Sequence, residues 1–124
     1  MLQLFHRLSV AVTMMSDERL YEILSNYKFI LSIENAICDD YVTEKLWRTY
    51  YVGSVPIILA NHDRIDDYLP TNLSAINVKD FKNAEELAKF LHWLNENDEE
   101  YEKYTTYKGE NGVKNEKLVK VMEV

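Results

Sequence analysis

The stretch Tyr27-Lys28-Phe29-Ile30-Leu31-Ser32-Ile33-Glu34-Asn35, followed by Asp40-Tyr41-Val42-Thr43-Glu44-Lys45-Leu46-Trp47-Arg48 and Val52-Gly53-Ser54-Val55-Pro56-Ile57, decides the fold. Residues 28–33 are almost wholly apolar and bounded by polar residues, the pattern of a parallel strand buried on both faces. Over 42–52, Val42, Leu46 and Tyr50 with Trp47 and Tyr51 fall at helical spacing, and Gly53 stands where a helix C′ residue belongs. A second short buried strand follows over 55–59, with Pro56 tolerated near its start. Strand, helix and strand make a right-handed βαβ unit. An apolar strand therefore ends in a carboxylate and an amide, and a helix head with free N–H groups begins close by. Open α/β sheets bind ligands at the carboxyl edge of their strands, and a helix N-terminus attracts phosphate. Lys45 adds a point charge and Glu44 an acceptor for hydroxyl groups, so the arrangement suits a sugar nucleotide.

Outward from this unit, the spacing predicts a helix over 17–25, with Leu20, Ile23 and Leu24 on one face. A third strand is expected over 74–78. Asn83 caps an amphipathic helix in which Ala84, Leu87, Ala88, Leu91 and Leu94 share a face and Glu86 stands at N3. A last helix starts at Asp98 and carries Tyr101, Tyr104 and Tyr107, whose spacing reads as core packing. From Lys108 onward the sequence is charged and weakly patterned, which reads as a frayed tail. The organisation is an irregular segment over 1–16, one domain over 17–108 and a charged tail over 109–124.

Length and composition bound the rest. A chain of 124 residues holds one domain with a real core and not two full Rossmann-type domains. Acidic residues outnumber basic ones 21 to 14, for a net charge of -7, which argues against a nucleic-acid phosphate backbone as partner. The lone Cys38 allows no intrachain disulfide and leaves the redox compartment open. The start resembles a signal peptide in part, but Arg7 interrupts its apolar run and no clear cleavage site follows. No stretch reaches the roughly 20 apolar residues of a membrane-spanning helix. Asn72-Leu73-Ser74 is an N-glycosylation sequon, meaningful in the secretory lumen. His6, His62 and His92 share no metal-ligand spacing, and His62 is expected to face solvent.

The motif residues closely resemble the signature of the α1,3/4-fucosyltransferase family, inverting enzymes that take fucose from GDP-fucose on the two-domain GT-B plan. Ile33-Glu34-Asn35, residues 40–45 and residues 53–56 carry the resemblance. It continues through Asp80-Phe81, Glu86-Leu87-Ala88-Lys89-Phe90-Leu91 and Tyr101-Glu102-Lys103-Tyr104. The resemblance implies an α/β, Rossmann-like parallel sheet flanked by helices, the carboxyl-terminal, donor-binding half of a GT-B glycosyltransferase. It also implies a fucosyltransferase acting on a glycan or glycoprotein acceptor, and a Golgi or other secretory-lumen setting with a membrane anchor.

By the same resemblance Asn35, Tyr41, Glu44 and Lys45 hold GDP-fucose. Lys45 would meet the diphosphate, Glu44 would accept from sugar hydroxyls, and Tyr41 and Asn35 would position the donor. No cofactor and no metal are implied, and Asp39-Asp40 then reads as a loop and helix cap. The acceptor-binding half and its general base precede this region in the family, so no catalytic base is assigned among these residues and the isolated chain is expected to transfer little. The alternative is a non-catalytic module that binds GDP-fucose or a partner enzyme. The residues after Pro56 depart from the family in Ala60-Asn61-His62, which alters the wall beside the donor. Without an acceptor half, Tyr50, Tyr51 and Trp93 are expected to expose apolar surface and favour self-association.

Overall fold

The computed structural model describes residues 18–34, 44–109 and 112–122. The elements run α1 (Glu18–Leu24), β1 (Phe29–Leu31), α2 (Glu44–Val52), β2 (Val55–Ile58), α3 (His62–Ile65), β3 (Ile76–Asn77), α4 (Ala84–Glu96), α5 (Asp98–Glu102) and α6 (Glu116–Met122). Single 3-10 turns follow α3 and β3, and a longer 3-10 segment, Lys103–Lys108, follows α5. The strands form one parallel sheet in the order β1-β2-β3, with Phe29 opposite Val55 and Ile57 opposite Ile76.

β2 is the central strand, and Pro56 sits inside it without disrupting a ladder. Val55 donates its N–H to the Lys28 carbonyl and the Ile57 carbonyl accepts from Ser32, both at 2.9 Å, so these residues face β1. Pro56 by alternation faces the β3 side, and β3 begins opposite Ile57, one residue further on. The missing N–H therefore falls where there is no strand to receive it.

Two apolar layers cover the sheet. Leu46 and Tyr50 of α2, Ile58, Ile65, Leu69, Tyr107, Val113 and Leu118 fill one face. Val55, Ile57, Ile76 and Leu94 fill the other, with Phe29, Phe90, Leu91 and Tyr104 packed against them. Successive residues of β2 thus point to opposite cores, which is why all four are apolar. The buried phenols reach polar groups of the opposite end of the chain: Tyr107 donates to the Ser54 carbonyl at 3.0 Å and Tyr101 to the Lys28 carbonyl at 2.9 Å. Burial pushes both hydroxyls above their ordinary pKa.

Helix ends follow their sequence signals. Asn83 Oδ1 accepts from Glu86 N–H at 2.9 Å and caps α4. After α2 the Gly53 N–H bonds the Tyr50 carbonyl and the Ser54 N–H the Thr49 carbonyl, a Schellman closure that needs the left-handed φ of 83° at Gly53.

Four expectations change. β1 spans Phe29–Leu31 and is not buried on both faces: Leu31 is 69% exposed, and among the described residues β1 pairs with β2 alone. The third strand is only Ile76–Asn77, since Ser74 is drawn into a turn and Val78 opens a 3-10 helix. The described residues 112–122 of the expected tail are not frayed; α6 forms, and Val113 and Leu118 enter the core. Asn115 drives this, capping α6 through the Lys117 and Leu118 N–H groups while its amide donates to the Asp66, Asp67 and Leu69 carbonyls. Tyr50 is 2% exposed and leaves the apolar surface, where Tyr51 and Trp93 remain.

Candidate functional site at the carboxyl edge of the sheet

The carboxyl end of β1 and the head of α2 meet. Lys45, the second residue of α2, donates from Nζ to the Ile33 carbonyl at 3.3 Å, two residues beyond the end of β1. The ammonium is thereby held at the carboxyl edge of the sheet. Glu44 opens the helix immediately before it. Asn35 and Tyr41, and the acidic pair Asp39-Asp40, lie outside the described residues.

Beneath Lys45 a buried hydroxyl pair fixes the geometry. Ser32 Oγ and Thr49 Oγ1 are 2.6 Å apart, and Thr49 also donates to the Lys45 carbonyl at 3.0 Å. With its one proton directed to that carbonyl, Thr49 accepts from Ser32. The strand end, the helix interior and the backbone of Lys45 are joined in one relay. These two residues escaped the sequence reading. The signal was present as a serine inside an apolar strand and a threonine one turn after Lys45 on the apolar face of α2.

A second polar group lies at the same edge, after β2 and β3. His62 Nε2 is 2.7 Å from Asp80 Oδ1, and Nδ1 is 3.8 Å from Asp66 Oδ1. The hydrogen bond to Asp80 raises the imidazole pKa, against a smaller lowering by burial, and the negative charges of Asp80 and Asp66 raise it further. His62 is exposed, as the sequence suggested, but it is not idle: it ties the start of α3 to the end of the third strand's 3-10 turn. Buried Asn77 ties the same loops, donating to the Ala60 carbonyl at 2.9 Å and accepting from Lys79 N–H at 3.1 Å. The departure Ala60-Asn61-His62 thus forms a pinned wall. Among the described residues no group of three or more His, Cys, Asp or Glu side chains is placed to hold a metal ion.

Helices on both faces of a parallel sheet, with a lysine at a helix head on its carboxyl edge, define a Rossmann-like α/β domain of the kind that forms one half of a GT-B glycosyltransferase. The C-terminal model of glycosyltransferase family 10, the fucosyltransferases, matches residues 5–123, and the chain belongs to that family. It is 46% identical over 109 residues to the GDP-fucose protein O-fucosyltransferase 3 of Gallus gallus, covering 88% of this chain and 23% of that one. Against the Homo sapiens protein of the same name the identity is 42% over 105 residues, covering 85% and 22%. The chain spans less than a quarter of the length of these relatives.

Two crystal structures of an alpha1,3-fucosyltransferase are similar. One, with GDP-fucose, matches at 27% identity and a TM-score of 0.62 over 83% of this chain and 32% of that one. The other, with GDP, matches at 32% identity and a TM-score of 0.57 over 68% of this chain and 24% of that one. Among the described residues no helix is long and apolar enough to cross a membrane.

Proposed function

We propose that this chain is the donor-binding part of a fucosyltransferase that moves fucose from GDP-fucose to a glycan or glycoprotein acceptor with inversion, in the Golgi or another part of the secretory lumen. The observation that carries the reading is the position of Lys45, at the head of α2 and bonded to the Ile33 carbonyl just beyond the end of β1. A diphosphate approaching the carboxyl edge meets that ammonium and the positive end of the α2 dipole together. The charge that builds on the leaving GDP is then met without a metal or other cofactor.

Glu44, the neighbour of Lys45 in the first turn, is assigned to sugar hydroxyls, and Asn35 and Tyr41, from the segment between β1 and α2, to positioning the donor. Lys45 needs a fixed backbone to act this way, and the Ser32–Thr49 relay supplies it. The names of the relatives and the GDP-fucose held by a similar structure support the choice of donor. The acceptor hydroxyl requires a base that is not assigned to this chain.

Calorimetric titration of GDP-fucose into the purified chain, beside Lys45→Ala, tests the reading. Saturable heat that the variant loses is the expected result. Heat indistinguishable from buffer dilution in both chains overturns the proposal that these residues bind the donor by themselves. Binding with no sugar transferred to any acceptor would mark the alternative, a non-catalytic binding module.

A further inference from the structure

The sequon Asn72-Leu73-Ser74 takes no part in the site above, and the fold treats its two chemical positions in opposite ways. Asn72 is exposed in the bend ahead of β3, and among the described residues no hydrogen bond holds its carboxamide. Ser74 is fully buried: its hydroxyl donates to the Thr71 carbonyl at 2.8 Å and accepts from the Thr71 N–H at 3.2 Å. The Ser74 carbonyl is locked as well, accepting from Tyr50 Oη at 3.0 Å. Thr71 Oγ1 accepts from the Leu73 N–H at 3.2 Å and completes the bend.

We propose that Asn72 is an N-glycan acceptor, modified before this bend closes. Glycosylation at a sequon needs the asparagine amide and the hydroxyl two residues later within reach of the transferase. In the folded chain that hydroxyl is inside the protein and engaged on both its donor and acceptor sides, so transfer precedes closure. In the step, the Asn72 amide nitrogen forms a bond to the anomeric carbon of a lipid-diphosphate-linked oligosaccharide. The bond from that carbon to the phosphate oxygen breaks, the lipid diphosphate leaves, and the amide proton passes to the transferase.

Folding then retains the product without strain. Asn72 lies exposed beside the exposed Leu73, and both line a cavity with His62, Asp66 and Asp80. The glycan also sets polar mass over an apolar side chain that the fold leaves in water. The proposal rests on the secretory-lumen setting given above.

The test is expression of the full chain behind a cleavable secretory leader, with a control sequon in a carboxyl-terminal tag, followed by glycosidase treatment and mass spectrometry of both sites. Only molecules glycosylated at the control are counted. The expected result is one glycan at Asn72, lost in Asn72→Gln with the control and the thermal midpoint unchanged. A bare Asn72 in those molecules overturns the proposal. The control sequon separates the two readings, since only molecules that have reached the lumen are scored at Asn72.

Discussion

Ser32 Oγ and Thr49 Oγ1 lie 2.6 Å apart in the interior, joining the end of the first strand to the middle of the helix that carries Lys45. Each is almost fully removed from solvent, so neither hydroxyl can turn to water if the other is lost. Replacing Thr49 with Val keeps the volume and leaves Ser32 with only a long contact to the Ile30 carbonyl at 3.4 Å. Thr49→Val is expected to lower stability by about 1–3 kcal/mol in urea denaturation, with Ser32→Ala added to it costing little more. Simple addition of the two single losses would show that the hydroxyls do not act together.

Gly53 closes the same helix with a left-handed backbone, and a Cβ there would sit 3.0 Å from Lys108 Cε. The lysine end can move aside, so the backbone decides the outcome. Gly53→Ala should destabilise by about 1–2 kcal/mol, and Gly53→Asn by less. Equal stability of wild type and the alanine variant would contradict the Schellman closure.

The imidazole of His62 gives a pH dependence whose sign is fixed by its partners. Its pKa in the folded chain is raised above the unfolded value of about 6.5, so the stabilisation is complete below that pH and fades as pH rises through the folded pKa. The pair is exposed and screened, so the effect is roughly a few tenths of a kcal/mol. The expected result is a small loss of thermal midpoint between mildly acidic and alkaline buffer that Asp80→Asn abolishes. A midpoint that rises over the same interval would reverse the assignment.

Among the described residues β1 pairs with β2 alone, and it carries the exposed Leu31, with exposed Tyr27 and Ile23 nearby in sequence. An unpaired apolar strand edge recruits further strands. Sedimentation should show association that grows with concentration and is relieved by Leu31→Lys; a sharp monomer for the unaltered chain would count against it.

The sequence made the βαβ unit legible because two short apolar runs, over 28–33 and 55–59, flank a stretch of helical spacing closed by Gly53. Asn83 and Gly53 were legible for a related reason, since each end signal acts within a few residues of itself. What stayed hidden depends on distant partners. Ser74 to Val78 has strand composition, yet the Ser74 hydroxyl bonded to Thr71 delays the strand's start and the 3-10 helix at Val78 ends it early. Asn115 looked like part of a charged tail, and its three carbonyl partners lie 46 to 49 residues back. At the site, motif likeness singled out Lys45, and the structure places it at the sheet edge. The Ser32–Thr49 relay beneath it left only a polar residue in each of two apolar surfaces as its signal, and the pairing itself spans 17 residues.

Tyr101 and Tyr107 hold the carbonyls of Lys28 and Ser54 across 73 and 53 residues. A ribosome delivers the strands long before it delivers these phenols. Until then the sheet lacks its second apolar layer as well, because α4 and the residues after it complete that layer. The nascent chain therefore emerges with sticky strands and no means of closing on them. Its assembly is a late, nearly all-or-none event dependent on long-range contacts.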